Sequence, residues 1–255
     1  MNGFCRFNIV PVRAEAAHRS ELVTQLLFGD HYEILETDEE KKWARIKISF
    51  DEYEGWIDYK QHTDFPDIYT VDYNIVTKDV GMLKGGGVQT LIPAGCFLPK
   101  LQKAKVQISN LWYHFDGANR SANQRASLKE LLEVAHSYYG TPYLWGGKTH
   151  FGIDCSGFLQ QVFKICGYSL KRDAWQQALQ GETIQLNEVQ AGDIAFFANA
   201  SGRVTHVGLM LDNTHIIHAH GHVRIDTLDE RGIFNKNING YSHDFQSIKR
   251  ILMVT

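Results

Sequence analysis

Cysteine is scarce in this sequence: four in 255 residues, at Cys5, Cys96, Cys155 and Cys166, with no C-x-x-C spacing. Thiols so few and so scattered exclude a disulfide-stapled secreted scaffold, a thiolate zinc site and a dithiol redox site. Basic excess is lacking too. Lys plus Arg number 26 against 29 for Asp plus Glu, a formal charge of −3, which excludes the bulk electrostatics that hold nucleic acid or an anionic membrane. No apolar run approaches the roughly 18 residues needed to span a bilayer. The N-terminal stretch is broken by Arg6, Asn8 and Pro11 before it can form the apolar core of about 7–15 residues of a secretory signal. A cytoplasmic protein is therefore expected. No Ser/Gly-rich linker or charge block marks a disordered segment. What remains is a chain with 44% apolar residues, enough for proper cores, whose length suggests two or three modules. Its partner must be recognised by a local site, and one of the four cysteines is a candidate for reactivity.

Residues 1–118 carry short alternating runs. In the segment 42–48, Trp43, Arg45 and Lys47 alternate with Ala44, Ile46 and Ile48, and Gly29, Gly55, Gly81 and Gly85-Gly86-Gly87 punctuate the chain. A period of two with glycine breaks predicts strands. Glu33 to Ile57 forms one candidate barrel and Tyr69 to Phe115 a second, within modules of about 60 residues each, large enough to stand as domains. After Phe115 the texture changes: Asn119 to Gln124 is polar, and Leu128, Leu131, Leu132, Ala135 and Tyr139 fall at helical spacing before Gly140 and Pro142. The chain thus divides at 1–62, 63–120 and 121–255.

The most informative segment is Tyr143-Leu144-Trp145-Gly146-Gly147 followed by Gly152-Ile153-Asp154-Cys155-Ser156-Gly157-Phe158. From Phe158, Leu159, Val162, Phe163, Ile165 and Cys166 trace one helical face as far as Gly167, and Asp154 is placed to cap the N-terminus. Cys155 then lies in the first turn, where the helix dipole contributes about 1 kcal/mol toward the thiolate, roughly one pKa unit. That alone does not ionise a thiol at neutral pH, so a neighbouring imidazolium is required. The polar, glycine-rich bracket around Cys155 suits reactivity; Cys166, on the apolar face, suits the core.

Five of the twelve histidines fall between 206 and 222. Val204 to Leu211 reads as a strand, Asp212-Asn213-Thr214 as a turn, and His215 to His220 as the returning strand. With a three-residue loop, Leu211 opposes His215, so His206 faces His220 directly and His218 diagonally on the same side. Register counting leans to His220 as the partner of His206, and a bulge would change that.

Together with Ala191-Gly192-Asp193-Ile194-Ala195-Phe196-Phe197, these segments (Tyr143-x-Trp145-Gly146-Gly147, Asp154-Cys155-Ser156-Gly157, His206-Val207-Gly208 and Ile217-His218-Ala219) resemble, in order, the motifs of the NlpC/P60 family of papain-like cysteine peptidases. The resemblance covers residues 125–255 and implies an α+β fold: a papain-like catalytic domain, an antiparallel sheet with helices, preceded by two small SH3-like β-barrels. It implies Cys155 as nucleophile, His206 as base and His218 as the group that orients the base, against the register count. The front half extends the resemblance to γ-D-glutamyl-L-diamino acid endopeptidases, which trim cell-wall peptides during recycling. There the segments Ser20 to Gln25 and Tyr53 to Ile57 resemble the parts of the first barrel that reach the active site.

The implied substrate is a short murein peptide with a free N-terminal L-Ala. Asp154 and Glu21 are the candidate carboxylates for its ammonium, with Tyr53 as a hydroxyl partner. Tyr143, Trp145 and Ser156 match cleft-lining positions, although Trp145 reads equally as a core aromatic beside a tight turn. Arg172 and Asp173 are placed to meet the free α-carboxylate of the γ-linked glutamate. Ala174 departs from the small hydroxyl residue often found there in relatives, so one hydrogen bond is missing from the cleft. Asp193 reads as a turn residue outside the site. No cofactor, metal, nucleic acid or membrane is implied, and a monomer is expected. Other readings are an amidase or acyltransferase of the same fold, a non-catalytic peptidoglycan-binding protein, and a metal-dependent hydrolase using the alternating His218, His220 and His222. The last leaves Cys155 without a role.

Overall fold

The alternation at Trp43 is a strand in the computed structural model, which describes residues 1–40, 42–64, 73–99, 101–108 and 111–251. Ala44, Ile46 and Ile48 are buried, while Arg45 and Lys47 on the opposite side stay partly exposed. This strand belongs to a six-stranded antiparallel sheet made of β1 (Asn2–Phe4), β2 (Ile9–Arg13), β3 (Leu22–Leu27), β4 (His31–Thr37), β5 (Trp43–Ile48) and β6 (Glu54–Asp58), in the order β1-β4-β5-β6-β2-β3. Three strands therefore precede Glu33, where the sequence pattern places the start of the barrel. Pro11 hides one of them. It sits on the outer face of β2, which pairs with β6 at Arg13, so the missing N–H of Pro11 does not interrupt that ladder. Val10, Val12, Leu26, Tyr32, Ile46 and Ile57 fill the core beneath.

A second all-β unit follows, built from β7 (Tyr73–Val76), β8 (Val80–Gly85), β9 (Val88–Pro93), β10 (Phe97–Pro99), β11 (Lys105–Ile108), β12 (Leu111–Asp116) and β13 (Asn119–Ser121). They form a three-stranded sheet, β10-β7-β13, and a four-stranded one, β11-β12-β8-β9. Gly86 and Gly87 both take positive φ, 57° and 77°, as the two-residue turn joining β8 to β9 demands. Tyr69, the expected start of the second barrel, lies outside the described residues. The core of this unit, including Leu83, Ile92 and Phe115, runs without a break into Phe4, Leu27 and Phe28 of the first. The two β units are thus packed on each other, not strung apart.

The remainder opens with α1 (Leu128–Ser137), whose Ser127 and Glu130 form a reciprocal capping box and whose end is turned by Gly140 at φ 83°. A short hairpin, β14 (Lys148–Thr149) with β15 (Gly152–Ile153), leads into α2 (Cys155–Ile165), and α3 (Ala174–Gln177) follows. Then come β16 (Glu182–Ile184), β17 (Ile194–Ala198), β18 (Val204–Met210), β19 (His215–His220), β20 (His222–Asp229), β21 (Gly232–Asn235) and β22 (Gly240–Arg250). The last strand pairs with both β17 and β21, so β17 to β22 close on themselves with β16 at the margin. Register shifts along β22 supply the bend that closure needs. The chain is mostly strand with few helices, and no helix among the described residues is long and apolar enough to cross a membrane.

Helix α2 is buried on every side, its apolar face on β18 and β19 and its polar face on the N-terminal units. Gln160 donates to Asp51 Oδ2 at 2.8 Å, and Lys164 Nζ meets Asp30 Oδ1 at 3.0 Å with both side chains 1% exposed. The same ammonium lies 4.0 Å from the centroid of Phe97 and 4.9 Å from that of Phe50. A cation this deeply buried needs its counter-charge and aromatic faces to offset desolvation. One lysine on α2 therefore ties together all three parts of the chain.

Candidate active site

Asp154, with extended backbone at φ −94° and ψ 177°, caps α2 by accepting the Gly157 N–H at 2.6 Å, as the sequence pattern predicts. Gly157 is obligatory, because a side chain there would collide with the Gly147 carbonyl and with the cap itself. Cys155 consequently begins the helix, 7% exposed, with its sulfur accepting from the N–H of Ser156 and of Val207, the residue after His206. Burial, seconded by the Asp154 charge, pushes its pKa up to about 12, outweighing the backbone donors. The helix-dipole argument made from sequence pointed downward; desolvation of the buried thiol wins.

His206, on β18, is buried as well, and burial together with His218, His243 and His220 holds its pKa well below the usual histidine range. Its Nε2 is hydrogen-bonded to Nδ1 of His218 at 2.8 Å. The register is as counted, since Gly208 pairs with His218, yet the partner is the diagonal residue. The His206 ring centroid lies 5.0 Å from that of His218 and 6.4 Å from that of His220. A Cβ at Gly208 would come within 2.7 Å of Ile216 Cδ1 and 2.9 Å of the His218 Cβ, so only glycine fits opposite His218. On its far side, Nε2 of His218 is 3.0 Å from Asp226 Oδ2, and Asp226 is paired with Arg224, whose Nη2 donates to Oδ1 at 2.9 Å. His243, on β22, stacks on His206 with centroids 3.9 Å apart and planes 19° from parallel.

Sequence reasoning missed Asp226, Arg224 and His243. An acid two residues after an arginine in the strand-like run His222 to Asp229 was the available signal for the first pair; nothing in the sequence places His243 over His206. Ring nitrogens of His206, His218 and His243 lie within 4.8 Å of one another, a different trio from the expected His218, His220 and His222, of which His222 is exposed at the hairpin. The facing nitrogens of His206 and His218 are occupied by their mutual hydrogen bond. The near-parallel planes of His206 and His243 keep their in-plane lone pairs from converging on one ion. The arrangement is that of a hydrogen-bonded relay.

A cavity of about 620 Å³ opens beside Cys155, and all eight residues singled out for substrate contact line it: Glu21, Tyr53, Tyr143, Trp145, Asp154, Ser156, Arg172 and Asp173. Two of them are not available as expected. Arg172 is 1% exposed and spends its donors inside the protein, on Asp154 (Nη2 to Oδ2 at 2.5 Å, Nη1 to Oδ1 at 3.1 Å), on Ser156 Oγ at 2.9 Å and on Thr24 Oγ1 at 2.9 Å. It braces the start of α2 and has no free fork for a substrate carboxylate. Asp154, the candidate for the ammonium, is filled by Arg172, Gly157 and the Gly146 N–H at 2.8 Å. Ser156 Oγ is drawn into the same brace.

Glu21, from the first module, accepts the indole N–H of Trp145 at 2.6 Å. Trp145 is 59% exposed, which removes the core-aromatic reading. Tyr53 donates to Asp173 Oδ1 at 3.2 Å, and Trp175 Nε1 donates to Asp173 Oδ2 at 3.3 Å. Burial raises the pKa of Asp173 despite the nearby Arg172 and these donors. Asp193, read as a turn residue outside the site, accepts the Gln190 N–H at 2.9 Å in the turn before β17 and is ion-paired with Arg250 at 2.8 Å. Tyr143 also lines a second cavity of about 370 Å³, shared with His206, His220 and His243.

The surroundings thus favour the uncharged forms of both Cys155 and His206. Iodoacetamide modification of Cys155, with the Cys155→Ala chain as blank, is expected to accelerate about tenfold per unit from roughly pH 6 to pH 9. A rate flat across that range would mean a thiolate–imidazolium pair instead.

Comparison with known proteins places this geometry. Residues 140–241 match the NlpC/P60 family, and residues 12–61 match the bacterial dipeptidyl-peptidase Sh3 domain. The chain is 29% identical over 213 residues to the gamma-D-glutamyl-L-lysine dipeptidyl-peptidase of Bacillus subtilis, covering 77% of this chain and 71% of that protein. It is 34% identical over 134 residues to the probable endopeptidase NlpC of Escherichia coli, covering 52% of this chain and 79% of that one. A crystal structure of an NlpC/P60 family protein from Bacillus cereus shares the fold, with a TM-score of 0.86 at 21% identity over 99% of this chain and 100% of that chain.

Proposed function

This chain belongs to the NlpC/P60 family and is a cysteine peptidase, and we propose that it hydrolyses the γ-D-glutamyl-L-diamino acid bond of short murein peptides with a free N-terminal L-Ala. In this reading Cys155 attacks the γ-carbonyl while His206 accepts the thiol proton and returns it to the leaving amine. His218 holds the imidazole, N–H groups of the first turn of α2 meet the oxyanion, and water releases the acyl group. The protein acts as a monomer in the cytoplasm, on peptides released for recycling.

One observation carries the reading. The first module closes one end of the cavity, and the carboxylates gathered there are Glu21 and Asp173, bridged to Trp145 and Tyr53. Asp173 is a half-buried carboxylate whose charge is disfavoured by its surroundings, so a substrate ammonium beside it would be welcome. A wall ending in two acids accepts a peptide that begins with an amine and excludes one that continues. Asp173 and Glu21 thus take the role assigned from sequence to Asp154 and Glu21.

The test is a comparison of L-Ala-γ-D-Glu-diamino acid with its N-acetyl analogue, products identified by mass spectrometry. Glu21→Ala and Asp173→Asn are each expected to raise KM for the free amine about 10- to 100-fold, the loss of one charge-assisted hydrogen bond, with little effect on the blocked peptide. Equal effects on both substrates would remove amine recognition. Transfer to an added amine in place of hydrolysis would make the enzyme an acyltransferase.

A further inference from the structure

Behind His218 lies a carboxylate that neither the sequence pattern nor the comparisons single out. Asp226, on β20, is 6% exposed, and His218, which it contacts at 3.0 Å, is fully buried. We propose that Asp226 is a positioning residue that decides, through His218, which nitrogen of the His206 imidazole carries the proton.

Arg224 and the His218 hydrogen bond outweigh burial and keep Asp226 ionised, so it can only accept. Nε2 of His218 must then carry a proton. Burial keeps His218 neutral even beside Asp226, so its Nδ1 is a bare lone pair. The nitrogen facing that lone pair at 2.8 Å is Nε2 of His206, which must therefore be the donor. Burial, ahead of the neighbouring histidines, keeps His206 neutral as well, and its remaining nitrogen, Nδ1, is left bare. That is the form able to take the proton of Cys155. When it does, the positive charge stays on His206, whose Nε2–H donates to His218, and Asp226 compensates it through these hydrogen bonds without any proton moving along the chain. Without the carboxylate, His218 is free to turn its proton toward His206, which would put a proton on Nδ1 of His206 and block the base.

Asp226→Asn makes the test sharp. At Oδ1, where Arg224 Nη2 donates at 2.9 Å, the amide keeps its oxygen; its NH2 takes the Oδ2 position facing His218, which Arg224 Nε approaches to 2.7 Å without a hydrogen bond. The amide then donates where the carboxylate accepted, and the whole relay reverses. The expected result is a fall in kcat of about 10²- to 10⁴-fold with KM within about threefold of the parent, the pattern of a wrong tautomer. In 15N NMR spectra of the full-length Cys155→Ala chain, His206 and His218 are expected to carry their protons on Nε2, and adding Asp226→Asn is expected to move both to Nδ1. A parent chain with the proton on Nδ1 of His206 overturns the inference, as does an Asp226→Asn enzyme with kcat within about threefold of the parent. Should the amide variant fail to fold, the parent spectrum decides alone. The inference rests on Cys155 and His206 being the reacting pair; turnover by Cys155→Ala would sink that assignment, whereas the proton positions are read without turnover and stand or fall separately.

Discussion

Cys155→Ala is expected to abolish peptide cleavage, with kcat lower by about 10⁵-fold or more, while the peptide still binds with a dissociation constant within about threefold of the parent KM. The asymmetry follows from where the thiol sits. Its sulfur is nearly buried, against the N–H groups of Ser156 and Val207, and contributes little surface to the cavity. The groups that would grip substrate, Glu21, Tyr53 and Asp173, are fixed by partners of their own. Nor does the substitution disturb the helix start, since Asp154 still caps Gly157 and Arg172 still braces Asp154. Calorimetric titration with uncleaved peptide, beside a mass-spectrometric turnover assay, reads both halves. A variant keeping more than about a hundredth of parental turnover would take Cys155 out of the chemistry.

Arg172→Met is expected to cost about 3–5 kcal/mol of stability, the typical consequence of stripping one partner from a buried ion pair. Arg172 is the largest fully buried side chain in the protein among the described residues, and its removal leaves Asp154, itself 6% exposed, with a charge neutralised only by N–H and O–H dipoles. Thr24 Oγ1, 148 positions earlier in the chain, loses its donor as well. Urea unfolding midpoints report the loss. Adding Asp154→Asn to Arg172→Met should recover part of it, because no bare charge then remains. A loss under about 1 kcal/mol would mean that the brace is dispensable. Activity should fall with stability, since Asp154 sets the position of the helix that begins at Cys155.

The contrast between these two residues shows what the sequence could carry. Cys155 was legible because everything that defines it is local: a capping aspartate before it, a glycine two positions after, an apolar helical face beyond. His206 and His218 were legible as a hairpin pair, although choosing the diagonal partner required the resemblance, because ring placement is a fact of packing. Arg172 was misread because an arginine aimed at a ligand and one aimed at Asp154 look the same in sequence, and Thr24 comes from another module. The same holds for Asp226 and His243. Their meaning depends on closure of a sheet in which β20 and β22 reach His218 and His206 from opposite sides. β2 escaped because Pro11 breaks an alternation that the register of β2 in fact permits.

The lysine buried in α2 has an evolutionary corollary. Lys164 finds its counter-ion on the loop after β3 and its aromatic faces at Phe50 and Phe97, so its ammonium is compensated only while the N-terminal units are in place. A catalytic domain carrying this residue cannot be recombined with an arbitrary front half as though it were a cassette. Heredity has to pass the lysine, the aspartate and the two phenylalanines on together, and a lineage that shed the front modules would have to lose Lys164 as well.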